Sequence, residues 1–280
     1  MSRPKPKPPT PILPVGQSRK GLRYGYYGYV DHADGASGPS TTAETADHIN
    51  LLFAMAWGDW TTFEGREALQ QTLVHELVEA KALGIHEAIL GVDYCVYTRD
   101  EAQTTYIARN PSDASSTLAS LFEALKAADV LDMVVALYPL DEPNSFTTVE
   151  QVTLVNQVCY NVMKVYGMDC PLGVIFAHEP DWEMAAAYRP GLICADEYDR
   201  GAGIIDSYPA WQARLAPDQK LFACPGCAPK VGSVDIKPFN IYAQQHLDFW
   251  GIIPFDWWSP GGIRDAVGDC RAVGKAIKDA

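Results

Sequence analysis

DMVVALYPLDEPN, residues 132–144, decides the reading of this chain: a run of apolar, β-branched and aromatic residues, Asp132 to Leu140, ends in Asp141 and Glu142 between Pro139 and Pro143. A run of that composition reads as a strand, and its polar ending as the loop that follows. Seven other stretches are built alike: Leu22 to Val30, His48 to Trp57, His86 to Cys95, Pro171 to Ala177, Gly191 to Asp196, Lys220 to Cys224 and Gly251 to Trp257. Each ends in polar or aromatic residues.

Helical periodicity fills the intervals. It is clearest in Glu64 to Leu83, where Leu69, Leu73, Leu77 and Val78 recur before Gly84 as a stop. Ser115 to Ala128, Thr148 to Tyr166, Tyr208 to Leu215, Ile241 to Trp250 and Ile263 to Ala276 behave alike, and Thr147 with Glu150 has the spacing of a capping pair. The shortest interval holds DWEMAAAYRP, room for a turn or two of helix. Strand and helix alternating eight times predict an α/β fold of the (β/α)8 barrel type over residues 21–280. An open doubly wound sheet fits less well, since no glycine fingerprint follows the first run.

Composition narrows the function. Of 280 residues 35 are acidic and 22 basic, a net charge of -13, which argues against nucleic acid as a partner. Five of the basic residues (Arg3, Lys5, Lys7, Arg19, Lys20) lie in the first twenty, where six prolines fall within fourteen positions. Residues 1–20 read as an extended basic arm, not as an export signal, and as a possible tether to a larger assembly. No later run is long and apolar enough to insert in a membrane. Seven scattered cysteines read as buried free thiols, which favours folding in a reducing compartment such as the cytoplasm.

In a barrel of this type the chemistry sits where the strands end. Those ends carry Asp31 and His32, Asp59 and Trp60, Asp93, Asp141 and Glu142, His178 and Glu179, Asp196 and Glu197, Cys224 and Cys227, and Asp256 with Trp257 and Trp258. Carboxylates and aromatics on one rim suit carbohydrate, because an indole packs on the C–H face of a sugar while a carboxylate takes its hydroxyls. Asp256, Trp257, Trp258, Asp31, Asp93 and Tyr27 are the substrate-binding candidates.

Asp141-Glu142-Pro143 resembles the Asn-Glu-Pro or Asp-Glu-Pro that ends the fourth strand of many (β/α)8 glycoside hydrolases. The strings YPLDEPN, ADEYDRGAG and PFDWW are also similar to uncharacterised barrel proteins of proteobacteria and their phages. The first resemblance implies that Glu142 is a general acid/base. Burial and the charge of Asp141 would raise its pKa toward the range of a proton donor. The departure lies at the seventh strand: hydrolases of the largest clan carry a second Glu there, and this chain has Leu221 to Cys227 without a carboxylate. A pairing of strands four and six would set Asp141 or Glu142 against Asp196 or Glu197, with the stereochemistry left open.

No cofactor or metal is expected. Cys224-Pro225-Gly226-Cys227 is a lone CxxC, no HExxH occurs, and GxSxG elbow and P-loop are missing. The expected protein is a glycoside hydrolase acting on a neutral or amino-containing glycan. Its alternative is a catalytically inactive barrel serving as a glycan-binding component, for example of a phage particle.

Overall fold

In the computed structural model, residues 19–27, 41–56, 58–99, 104–196, 198–226, 235–255 and 269–280 are described. Their strands are β1 (Arg23–Tyr24), β2 (Leu52–Ala54), β3 (Ala88–Gly91), β4 (Tyr97–Arg99), β5 (Tyr106–Ala108), β6 (Val134–Tyr138), β7 (Gly173–Ala177), β8 (Leu192–Asp196), β9 (Lys220–Ala223) and β10 (Phe249–Ile252). The helices are α1 (Thr41–Thr45), α2 (Phe63–Ala82), α3 (Asp93–Val96), α4 (Pro111–Ala127), α5 (Pro143–Phe146), α6 (Val149–Val165), α7 (Trp182–Tyr188), α8 (Tyr208–Gln212), α9 (Lys237–Gln245) and α10 (Cys270–Lys278). Helix and parallel strand alternate, as the hydrophobic pattern predicts.

Two parallel sheets result, ordered β1-β10-β9-β8-β7 and β2-β3-β6, with β4 and β5 paired as an antiparallel hairpin beside them. The sheets meet at both edges through isolated contacts. At one seam Leu137 N donates to Pro171 O (3.0 Å) and Glu142 N to Ile175 O (3.1 Å). At the other, Asn50 N and Leu51 N donate to Tyr24 O, while the Asn50 side chain accepts from Tyr24 N (2.8 Å) and donates to Leu22 O (2.9 Å). Among the described residues the continuous ladder of a closed barrel is not formed at these seams.

The core has two layers. Leu73 and Leu77 of α2, Leu118 and Phe122 of α4, and Val155 and Cys159 of α6 pack between helices and sheets. An inner cluster takes a side chain from or beside each of the eight parallel strands: Tyr27, Phe53, Ile89, Ala136, Ile175, Cys194, Phe222 and Trp250. Strands buried on both faces explain why the runs are continuously apolar rather than alternating.

Several expectations are corrected. Asp93, Tyr94 and Cys95 do not extend the third strand but open α3, because β2 stops at Ala54 and the chain beyond Gly91 closes its own bond, Cys95 N to Val92 O (3.0 Å). Phe249 and Trp250 belong to β10, since α9 already ends at Gln245. That end is closed by Arg19, whose guanidinium donates to the carbonyls of Ala243 (3.1 Å), His246 (2.6 Å) and Leu247 (2.8 Å). Arg19, assigned by its sequence to the arm, is therefore packed on the fold. The cap of α6 is Thr148, accepting from Gln151 N; Thr147 instead donates to Tyr106 O (2.7 Å). DWEMAAAYRP forms the short α7, capped by Asp181, which accepts from Glu183 N and Met184 N.

Cys95, Cys159, Cys170, Cys194, Cys224 and Cys270 are not joined in disulfides, and Cys227 lies outside the described residues. Among the described residues no helix is long and apolar enough to cross a membrane.

Candidate active site

The loop after β6 is held in one conformation by its neighbours. Tyr138, the last residue of β6, donates its hydroxyl to Asp141 Oδ1 at 2.6 Å. Glu142 adopts a left-handed backbone (φ 42°, ψ 53°), uncommon for a residue with a side chain, and Pro143 then opens α5. Such a conformation costs about 1–3 kcal/mol and persists only where the surroundings dictate it. Here they do: Glu142 N donates to Ile175 O, Ser145 N donates to Glu142 O (2.9 Å), and Asn144 both accepts from Ala177 N (3.0 Å) and donates to Ala177 O (3.1 Å). Sequence reasoning gave Asn144 no role, yet this reciprocal pair clamps the acidic loop to the end of β7.

Asp141 is withdrawn from water, and that desolvation pushes its carboxyl up to about 6, against hydrogen bonds from Tyr138 and Tyr27 that favour the ionised form. The charge of Glu142 adds to the rise. Tyr27, a candidate for contact with substrate, is buried in the inner core, its ring 4.8 Å from that of Phe53 and its hydroxyl on Asp141. It acts on the site through Asp141. The Glu142 carboxyl, by contrast, has no hydrogen-bond partner among the described residues.

Asp141 and Glu142 line a cavity of about 290 Å³ together with Asp93, Arg99, Trp60, Tyr106 and Phe146. Asp93 is 9% exposed, and its Oδ1 has no hydrogen-bond partner among the described residues. Burial pushes this carboxyl up to about 7, opposed by the backbone N–H of Tyr94 and reinforced by the charge of Asp141. Arg99 extends from β4 over the rings of Trp60 (5.1 Å) and Tyr106 (5.2 Å) and donates to the Tyr106 hydroxyl (3.0 Å); its buried Nε is without a partner among the described residues. Arg99, Tyr106 and Phe146 were not legible as site residues, because the hairpin that carries two of them is polar and short.

The other candidates fall elsewhere. Asp196 ends β8 opposite Ala177, buried at the same end of the parallel strands, but it is not among the described residues that line the cavity. Asp31, Glu197, Asp256, Trp257 and Trp258 lie outside the described residues. Cys224, at the end of β9, is buried. The acids of His178-Glu179-Pro180-Asp181 serve the fold, Asp181 as the cap of α7 and Glu179 3.8 Å from Arg200.

Solved structures resemble this fold over nearly its whole length. A GH113 β-1,4-mannanase matches with a TM-score of 0.51 and 11% identity, over 93% of this chain and 97% of the mannanase. Concanavalin B matches with a TM-score of 0.53 and 15% identity, over 93% and 99%. A β-glucuronidase of Faecalibacterium prausnitzii matches at 0.52 and 9% identity over 97% of this chain, which spans about half (49%) of that enzyme. No family model and no curated protein matches the sequence. At such identities the likeness speaks for the fold alone, a TIM-barrel-like fold shared with glycoside hydrolases.

Proposed function

We propose that the two sheets are arcs of one (β/α)8 barrel and that the chain is a glycoside hydrolase, with Glu142 as the acid/base. The observation that carries this reading is the division of labour in the acidic pair after β6. Asp141 is tied down by two tyrosines, while Glu142, on a strained and clamped backbone, keeps its carboxyl without a partner at a cavity. In this reading Glu142 protonates the leaving sugar oxygen, and Asp141, held by Tyr138 and Tyr27, fixes the loop from which Glu142 acts. Asp196 or Glu197 supplies the second carboxylate, as base for a water or as nucleophile. Asp256, Trp257, Trp258 and Asp31 are proposed to hold the rest of the glycan.

The test is the release of reducing ends from mannan, β-glucan, galactan and chitosan by the purified protein, with Asp196→Asn and Glu197→Gln alongside. Turnover that falls at least a hundredfold in one of the two variants identifies the second carboxylate. Full activity in both variants removes the pairing of the fourth and sixth strands.

A second reading has its own observation: Cys224 occupies the strand end where the resembled hydrolases carry their second Glu. A barrel that binds a glycan without cleaving it, joined to a larger assembly such as a phage particle by residues 1–20, would bind oligosaccharides and release no sugar.

A further inference from the structure

Asp93 and Arg99 both line the cavity, and each keeps one buried polar atom whose hydrogen-bonding capacity is unused. Buried polar atoms are nearly always paired, so an orphaned acceptor, Asp93 Oδ1, and an orphaned donor, Arg99 Nε–H, on two residues that line one cavity point to a ligand that completes both. We propose that this pair is the recognition subsite for a single uncharged pyranose ring, one hydroxyl donating to Asp93 Oδ1 and another oxygen of the same ring accepting from Arg99 Nε–H. The proposal deepens the glycan reading and rests on it.

Size and charge argue for that ligand. At about 290 Å³ the cavity lies at the lower end of small-molecule sites, room for one ring and not for a chain. A uronate would meet Asp93, Asp141 and Glu142 with only Arg99 to oppose them, and an ammonium set against Arg99 has no lone pair to accept from Nε–H; an uncharged ring serves both donor and acceptor. Arg99 is already oriented by Trp60 and Tyr106, so little freedom remains to be lost on binding.

The experiment is calorimetric titration of the full chain at pH 7.5 with β-1,4-linked tetrasaccharides of mannose, glucose and galactose. Tetragalacturonate and the glucosamine tetramer serve as charged controls, with Asp93→Asn and Arg99→Lys as variants. At least one neutral tetrasaccharide is expected to bind more tightly than both charged ones, and each variant to weaken it at least tenfold. Asp93→Asn is expected at the same time to raise Tm, because it removes a desolvated carboxyl, whereas a residue kept for the fold would lower it. Unchanged binding in both variants, a fall in Tm for Asp93→Asn, or binding of a charged probe only overturns the proposal. Sugar release measured on the same samples keeps the two readings apart: neutral oligosaccharide bound through Asp93 and Arg99 but never cleaved defeats the hydrolase and leaves the subsite standing.

Discussion

The hydroxyl of Tyr138 donates to Oδ1 of Asp141 across 2.6 Å, joining the last inward side chain of β6 to the first carboxylate of the loop that follows. The inner core thereby fixes the direction of the acidic pair: core packing sets Tyr138, Tyr138 sets Asp141, and Glu142 is left at the cavity.

Tyr138→Phe removes a hydrogen bond that favours the ionised form of Asp141. A bond to a charged group contributes about 1.5–3 kcal/mol, and about 1.4 kcal/mol is one pKa unit, so the carboxyl should rise from about 6 by roughly one to two units. Carboxyl-carbon NMR titration of wild type and variant measures this; an unchanged midpoint contradicts the link.

Asp93 makes stability depend on pH. Its carboxyl is held at about 7 in the fold against an ordinary 3.8, so its contribution is fully present below about pH 4 and is lost as pH rises through about 7. Asp93→Asn has no such titration. Urea unfolding between pH 4 and 8 should show the variant gaining on wild type by a few kcal/mol across that window and levelling off above it. A difference that does not vary with pH shows that the carboxyl is not shifted.

The seam between β1 and β2 tolerates no side chain at Gly25. A Cβ there would stand 2.3 Å from Leu51 O, a backbone atom that cannot turn aside, while Leu51 N and Asn50 N bond to Tyr24 O. Gly25→Ala should cost about 3 kcal/mol or more, at the upper end for overpacking, and lower Tm accordingly. Wild-type Tm would mean that the seam is open in solution.

Arg19→Ala removes the cation that closes the carbonyl end of α9. Three hydrogen bonds from a half-exposed guanidinium are lost, and a loss of about 2 kcal/mol in denaturant unfolding is expected. A change under about 0.5 kcal/mol, the range of ordinary surface substitutions, contradicts the docking of Arg19.

What could be read from sequence follows from range. Val134–Tyr138, Gly173–Ala177 and Leu192–Asp196 announce themselves because strands buried on both faces are unbroken apolar runs, and Phe63–Ala82 because its leucines keep helical spacing. The acidic pair was legible for a local reason, two prolines around two carboxylates. The hairpin Tyr97 to Ala108 was not: its strands have three residues each, and it is held by Thr147 Oγ1 on Tyr106 O and by Ala108 N on the side chain of Gln151, about forty positions away. Arg99 and Tyr106 reach the cavity through those distant contacts. Asp93 was visible as a candidate, but its isolation depends on β2 stopping at Ala54, which no local pattern encodes.

The most direct test of the central claim is sugar release by Glu142→Gln compared with wild type, at equal Tm, on whichever glycan the wild type cleaves. The carboxyl-to-amide change keeps the shape and the left-handed backbone but removes the proton that the leaving oxygen needs, so turnover should fall by about 10²–10⁴-fold with binding retained. Turnover within a few-fold of wild type would take the acid/base role away from Glu142.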